Sequence, residues 1–159
     1  MHKIKIYLDT NTIIDFFINE TKVIKNKEYT RIPNKFQFMT ESKEKIEFIT
    51  SFLTKAEVSR ELVSAFHLNE EDIKRLWDTF IDSLDCKYVK KFEFDEEIVG
   101  LTIKVNMKLR TMVNFFHLFI AMKENSYILT GDSELIKTVR ENEIYDKIMS
   151  YIEFRKILT

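Results

Sequence analysis

The chain has 159 residues, of which 25 are Lys or Arg and 26 are Asp or Glu, so its net charge is −1. It is long enough to bury a sizeable core, and a hydrophobic content of 45% with 14 Phe predicts a folded chain rather than a disordered one. The balanced charge argues against a protein that coats nucleic acid through a global basic field. We expect a single domain that spans residues 1–159.

The composition also excludes several kinds of site. With 2 Gly the chain has no Gly-rich phosphate loop, and with 1 Cys it has neither an internal disulfide nor a Cys-based zinc site. No apolar run reaches transmembrane length, and Lys3 and Asp9 interrupt any N-terminal signal pattern. We therefore expect a cytoplasmic protein without a membrane partner.

The first stretch of the chain predicts a strand followed by a helix. Ile4-Lys5-Ile6-Tyr7-Leu8 is an apolar run typical of a buried parallel strand. The run stops at Asp9, and Thr10-Asn11-Thr12 then supplies the residues that favour a helix start. Because open α/β sheets bind ligands at the carboxyl ends of their strands, Asp9 is either a helix cap or part of a site.

The remaining elements alternate in the same way. Residues 19–45 are polar and are expected to be irregular, with Pro33 breaking any regular element. Ile46–Ser51 is expected to be a second strand, and Thr54-x-x-Glu57 has the form of a capping box that opens a helix. The further predictions are a helix opened by Asn69, an edge strand over 88–94, a helix from Asp95 to about Leu109, a buried helix over 112–123, a strand over 126–130, a helix through Leu135, a strand over 148–151 and a helix over 154–158. This order predicts a three-layer α/β/α sandwich with a mainly parallel sheet.

Three acids are expected to meet at one edge of this sheet. Asp9 and Asp132 each follow a predicted strand, and Glu57 lies in the first turns of the helix after the second strand. Carboxylates that converge in this way repel one another unless they bind cations. Oxygen ligands of this kind suit Mg²⁺ or Mn²⁺.

Four motifs in this order resemble those of PIN domains, and the small VapC-type toxins resemble the chain most. The resemblance extends from Tyr7 to about Tyr151. The motifs are Leu8-Asp9-Thr10-Asn11, Thr54-x-x-Glu57-Val58, Asn114-x-x-His117-Leu118-x-x-Ala121 and Leu129-Thr130-Gly131-Asp132-Ser133-Glu134-Leu135.

The resemblance implies a metal-dependent endoribonuclease, the toxin of a toxin–antitoxin pair. Asp9, Glu57 and Asp132 would hold Mg²⁺ or Mn²⁺, Asn11 would support the first metal site, and Glu134 would be an auxiliary acid near Asp132. The resemblance further implies an RNA substrate, a homodimer, and an antitoxin protein that covers the acidic site.

The chain departs from the family at Asn114, where PIN domains usually have Asp. Asn keeps an oxygen ligand but removes a full negative charge from the predicted catalytic site. This supports a second hypothesis, a PIN-like RNA- or protein-binding module with weakened catalysis. His117, three residues further along the same helix face, is interpreted as a core histidine that packs and orients the helix.

A third hypothesis is a phosphatase of the haloacid-dehalogenase type. Asp9-Thr10-Asn11-Thr12 resembles the DxDx(T/V) signature of that family, and Gly131-Asp132 resembles its late acidic motif. That family needs acids where this chain has Asn11 and Ile136, so this hypothesis is the weaker one.

Basic residues near the predicted site are candidates for binding RNA phosphates. Five Lys and Arg residues and one acid lie between Lys22 and Lys35, and more basic residues precede the Asn114 helix. A solvated loop also explains the first group. The candidates are Lys22, Lys25, Lys27, Arg31, Lys104, Lys108 and Arg110.

Overall fold

The structure, a computed structural model, describes residues 2–26, 31–93, 95–105 and 112–159. Within them the strands are β1 (Ile4–Leu8), β2 (Ile46–Ser51), β3 (Lys87–Val89), β4 (Tyr127–Leu129) and β5 (Ile148–Met149). The helices are α1 (Thr10–Asn26), α2 (Asn34–Ser42), α3 (Phe52–Phe66), α4 (Glu70–Leu84), α5 (Glu96–Val105), α6 (Met112–Lys123), α7 (Ser133–Glu141) and α8 (Tyr151–Leu158).

The strands form one parallel sheet in the order β3-β2-β1-β4-β5. β1 is central, with Ile6 opposite Phe48 of β2 and Leu8 opposite Leu129 of β4. The chain winds outwards from β1 in one direction to β2 and β3, and then in the other direction to β4 and β5. The carboxyl ends of β1 and β4 therefore border the point where the winding reverses, which is where such sheets bind ligands.

The alternation of side chains along β1 separates two cores. Ile6 and Leu8 pack into the core on one face, together with apolar residues of α1, α2, α3, α4 and α8. Tyr7 points to the opposite face, where the core is completed by α6 and α7. α5 packs against α6 on that side. The predicted three-layer sandwich with a parallel sheet is confirmed.

α6 is the buried helix that the sequence predicts. Its core residues Phe115, Leu118 and Phe119 are at most 1% exposed, as expected for a helix that is apolar nearly all round. In the part of the chain that the structure describes, no helix has both the length and the apolar character that crossing a bilayer requires.

The prediction that residues 19–45 are irregular is wrong. α1 continues to Asn26, and α2 begins directly after Pro33. Thr21 occupies a fully buried helical position because its hydroxyl donates a hydrogen bond to the Phe17 carbonyl, 2.7 Å away, so a polar residue fits the core there. In α2, Phe36 stacks on Phe16 of α1 at 4.2 Å between ring centroids, which gives this short helix its packing face.

Other predicted boundaries also shift. α3 begins at Phe52, so Thr54 lies inside the first turn and the predicted capping box is wrong. The edge strand spans Lys87–Val89 rather than 88–94, because pairing with β2 extends only to Ser51. The Asp95 carboxylate does accept a hydrogen bond from the Glu97 backbone at the start of α5, whose predicted end near Leu109 lies outside the described residues.

Candidate metal centre

Asp9 is held in a fixed position at the carboxyl end of β1. It is 3% exposed, and both of its oxygens accept hydrogen bonds. The Thr10 backbone N–H donates to Oδ1 at 2.8 Å, and the Thr130 hydroxyl, just past the end of β4, donates to Oδ2 at 2.8 Å. This contact and the pairing of β1 with β4 place the carboxyl ends of the two strands side by side.

Glu57 reaches the same edge from the second turn of α3. Its Oε1 accepts a hydrogen bond from the Thr10 hydroxyl at 2.7 Å and shares another with His117 Nε2. The side chain remains 40% exposed. Because this carboxylate points toward Thr10 and His117 and does not return to the start of α3, it has no capping role.

His117 completes the group from the other side of the sheet. It is fully buried in α6, and its Nε2 lies 3.7 Å from Asp9 Oδ1 as well as against Glu57. Its Nδ1 lies 2.6 Å from Tyr7 Oη, which in turn lies 2.7 Å from Ser51 Oγ. The sequence interpretation of this histidine, that it packs and orients the helix, missed its contacts with both carboxylates.

The surroundings of Asp9, Glu57 and Tyr7 shift the pKa values of these groups. Burial raises the pKa of the Asp9 carboxyl, with the Glu57 charge adding to the rise and His117 and Thr130 opposing it. Burial also acts to raise the pKa of Glu57, but its hydrogen bonds to His117 and Thr10 outweigh this and lower the pKa. Burial raises the pKa of Tyr7, so the phenol stays protonated.

The donor set of this group fits a divalent cation. Ligand atoms of Asp9, Glu57 and His117 all lie within 4.8 Å of one another. Two carboxylates and one imidazole are ligands that divalent metal ions accept in proteins. A cation here would also offset the repulsion between two carboxylates, of which one is almost completely buried.

Asp132 does not join this three-residue group. Its Oδ1 accepts a hydrogen bond from the Leu135 backbone at 3.0 Å, which makes it the N-cap of α7, and its Oδ2 accepts one from Asn114 Nδ2 at 3.1 Å. Glu134 lies exposed in the first turn of α7. The predicted metal-binding role of Asp132 and the auxiliary role of Glu134 stay predictions.

Asn11 connects the start of α1 to the loop after β4. Its Oδ1 accepts a hydrogen bond from the Gly131 backbone at 2.8 Å, and its Nδ2 donates to the Thr130 hydroxyl at 3.4 Å. Asn11 therefore helps to position Thr130, which holds Asp9.

The carboxylates open into a cleft of about 520 Å³. Asp9, Asn11, Glu57 and Asn114 all line it, and so does the exposed Arg60. The charge of Arg60 contributes to the lowered pKa of Glu57. Arg60 is not among the predicted site residues, although its position three residues after Glu57 places both on the same helix face.

Where the structure describes them, the predicted RNA-binding residues are not among those that line the cleft. Lys22 and Lys25 are exposed near the end of α1, about 18 Å or more along the helix from Thr10 at the usual rise per residue. Arg31 is exposed, and so is Lys104 in α5. The three remaining candidates, Lys27, Lys108 and Arg110, lie outside the described residues.

Comparison with known proteins relates the chain to solved structures. No family model matches the sequence, and no curated protein does. A chain of VapBC-1 from nontypeable Haemophilus influenzae superposes with a TM-score of 0.55 at 16% identity, covering 94% of this chain and 99% of that one. A chain of VapBC2 from Rickettsia felis, solved with a DNA fragment from the promoter, gives 0.55 at 11% identity over 92% and 98% of the two chains.

PAE2754 from Pyrobaculum aerophilum is similar to the same extent. It gives a TM-score of 0.53 at 13% identity, with 95% of this chain and 92% of that one covered. At identities this low, the superpositions establish a shared fold and nothing more. They extend over nearly the whole of each chain. The chain therefore shares the fold of these structures, in agreement with the PIN-like fold that its motifs predict.

Proposed function

We propose that the protein is a divalent-metal-dependent endoribonuclease of the PIN type and the toxin of a toxin–antitoxin pair. The observation that carries the proposal is the meeting of Asp9, Glu57 and His117, with ligand atoms within 4.8 Å of one another, at the carboxyl edge of the sheet. The cleft of about 520 Å³ beside them gives a phosphodiester access to the carboxylates.

The residues of the site have separate roles in this proposal. Asp9 and Glu57 hold Mg²⁺ or Mn²⁺, and Thr130 and Thr10 keep the two carboxylates oriented before the ion binds. The ion would supply Lewis-acid activation of water and charge stabilisation at the phosphate. Asp132 and Asn114 are the candidates for a second ion-binding position next to the first.

We assign RNA binding to two sets of basic residues, one within the cleft and one at the end of α1. Arg60 lines the cleft beside Glu57, where a guanidinium can contact a phosphate next to the scissile bond. The exposed basic residues at the end of α1 would contact the RNA several nucleotides away. The net charge of −1 is compatible with this, because only local basic residues are needed.

The partners that we propose for this protein are based on its likeness to VapBC structures. The likeness supports an antitoxin protein that covers the acidic cleft, and the resemblance to VapC-type toxins supports a homodimer. Trp77 and Phe80 of α4 are buried in the core, at 3% and 0% exposure, so neither side chain is available for such contacts.

The weakened binding module is the second candidate, and Asn114 is the observation that favours it. Its amide donates to Asp132, so this corner of the cleft carries one carboxylate where PIN domains usually have two. The phosphatase hypothesis loses support. Asn11 stands where that family needs a general acid, and its amide is engaged with Gly131 and Thr130.

The test is cleavage of a mixed-sequence RNA by the purified chain with Mg²⁺ or Mn²⁺, compared with chelator and with Asp9→Asn. Asp78→Asn, which alters an exposed acid on α4, is the matched control. We expect cleavage only with metal, retained in the control and lost in Asp9→Asn. Metal-dependent cleavage that survives in Asp9→Asn would contradict the proposal, and RNA binding without any cleavage would favour the second candidate.

A further inference from the structure

We propose that His117 is a nitrogen ligand of the metal centre and that it makes the site select a divalent transition-metal ion over Mg²⁺. The inference rests on the proposed metal-dependent nuclease and specifies the class of ion that this site takes. It makes His117 a direct ligand of the ion, beside Asp9 and Glu57.

The position of the imidazole carries the inference. Nε2 faces both carboxylates at once, against Glu57 Oε1 and 3.7 Å from Asp9 Oδ1. The ring is fully buried on α6, so it cannot turn into solvent without disturbing the core of that helix. The same nitrogen is thus aimed at the place where the two acids would share a cation.

The opposite ring nitrogen has the partner that a metal-binding histidine needs. Nδ1 lies 2.6 Å from Tyr7 Oη, and Tyr7 Oη lies 2.7 Å from Ser51 Oγ. When Nδ1 carries the proton it donates to Tyr7, and the Tyr7 hydroxyl then donates to Ser51. This leaves the lone pair of Nε2 free for a metal, which is the arrangement that outer hydrogen bonds fix around metal-ligating histidines.

The donor set then determines which ions bind well. Mg²⁺ prefers oxygen ligands in a near-octahedral arrangement and retains several waters, so it gains little from an imidazole. Transition-metal ions accept imidazole nitrogen, and their affinities for such sites rise from Mn²⁺ to Co²⁺ and Ni²⁺. One imidazole with two carboxylates should therefore bind Co²⁺ more tightly than Mn²⁺, and Mn²⁺ more tightly than Mg²⁺.

A purely structural role for His117 makes a different prediction. In that case its hydrogen bond to Glu57 only stabilises the fold, and the ions meet oxygen ligands alone. Replacing His117 would then change the affinities for Mg²⁺, Mn²⁺ and Co²⁺ by similar factors. The ratio of these affinities separates the two roles, because a general loss of stability affects all ions alike.

The experiment is calorimetric titration of the full chain with Mg²⁺, Mn²⁺ and Co²⁺ in the wild type, His117→Gln and Tyr7→Phe. His2→Gln is the matched control, since His2 is exposed and lies before β1, at the opposite edge of the sheet. We expect His117→Gln to weaken Co²⁺ and Mn²⁺ binding at least about tenfold and Mg²⁺ binding less than about threefold. Tyr7→Phe should lower Co²⁺ and Mn²⁺ affinity about tenfold through the lost partner of Nδ1.

A second measurement needs no variant and covers the case in which His117→Gln fails to fold. Electron spin-echo spectroscopy of wild-type protein loaded with Mn²⁺ should show the ¹⁴N coupling of a directly bound imidazole, unchanged in His2→Gln. Absence of this coupling, or equal losses for all three ions in His117→Gln, would overturn the inference and leave the nuclease proposal standing. A wild-type chain that binds none of the ions would overturn both.

Discussion

Glu57 and His117 share a hydrogen bond between Oε1 and Nε2, although 60 residues separate them in the chain. Glu57 belongs to α3 on one side of the sheet and His117 to α6 on the other. They meet only because both helices border the carboxyl end of β1, where Asp9 stands. The candidate metal centre is therefore a product of the three-layer fold and not of any single motif.

Divalent ions should stabilise the protein against heat. An ion present at 100 times its dissociation constant adds about 2.7 kcal/mol by mass action. For a domain of this size, this corresponds to a rise in Tm of about 5–10 °C, measurable by differential scanning calorimetry with Mn²⁺ and with chelator. The rise should disappear in Asp9→Asn and persist in Asp78→Asn. An equal rise in both variants would show that Mn²⁺ acts elsewhere on the protein.

Asn114→Asp tests whether this side chain belongs to the metal site. The substitution places a carboxylate where an amide now donates to Asp132 Oδ2 at 3.1 Å. Without metal, the free energy of unfolding should fall by about 1–3 kcal/mol, because a hydrogen-bond donor is lost and like charges face each other. With Mn²⁺ the loss should recover, and RNA cleavage should become faster.

The control for this substitution is Asn69→Asp. Asn69 caps α4 by accepting a hydrogen bond from the Asp72 backbone at 2.8 Å, a role that Asp fills equally well. It adds the same charge at a residue that does not line the cleft, so both stability and cleavage should stay near wild type. If Asn114→Asp loses the same stability with and without Mn²⁺, and cleavage does not rise, Asn114 only orients α6.

Charge reversal of Lys25, Lys27 and Arg31 together should weaken RNA binding. The slope of log affinity against log salt should become shallower by about 2, at roughly 0.7 per lost phosphate contact on a single strand. Arg60→Gln should instead slow cleavage more than it weakens binding, because Arg60 lines the cleft beside Glu57. Filter binding and single-turnover cleavage measure the two effects. An unchanged salt slope in the triple variant would assign those residues to ordinary surface.

Glu153 should make stability depend on pH. The Ser150 backbone N–H and the Arg140 guanidinium hold the pKa of Glu153 below its ordinary value, with the two contacts at 2.8 and 3.0 Å. A lowered pKa in the folded state contributes stability above the ordinary pKa and loses it as pH falls through the folded one. Near neutral pH, Glu153→Ala should therefore cost about 1 kcal/mol, the usual value of a helix cap.

Urea unfolding over a range of acidic pH measures this difference. The gap between wild type and Glu153→Ala should close as the pH falls below the ordinary carboxyl range, whereas Asp78→Ala should stay near wild type throughout. A gap of constant size would mean that the Glu153 carboxylate contributes packing rather than charge.

The elements that could be predicted from the sequence are those with a continuous or regularly spaced set of apolar residues. β1 and β2 match their predicted bounds, and so does the buried α6. α1 beyond Asn19 and the whole of α2 escaped prediction, because polar side chains such as Thr21 occupy buried helical positions there by bonding to their own helix. Whether a polar side chain can be buried in this way depends on tertiary packing, and the helix propensities of the local residues do not include that packing.

The candidate site was predictable to a smaller extent. The strand-end position of Asp9 follows from the apolar run of β1, which stops there, and the position of Glu57 after the second strand predicted that it reaches the same edge. The contacts of His117 could not be predicted in this way. Asn114 and His117 share one face of the otherwise apolar α6, but this spacing does not show that His117 reaches the carboxylates, and only the packing of α6 across β1 and α3 decides it.

The most direct test of the account is an anomalous difference map from crystals grown with Mn²⁺. We predict one strong peak with oxygens of Asp9 and Glu57 and Nε2 of His117 within about 2.0–2.6 Å, the range of oxygen and nitrogen ligands to divalent ions. The same crystals of Asp9→Asn should lack the peak. A Mn²⁺ peak at Asp132 alone, or none at this edge of the sheet, would contradict a metal centre built from Asp9, Glu57 and His117.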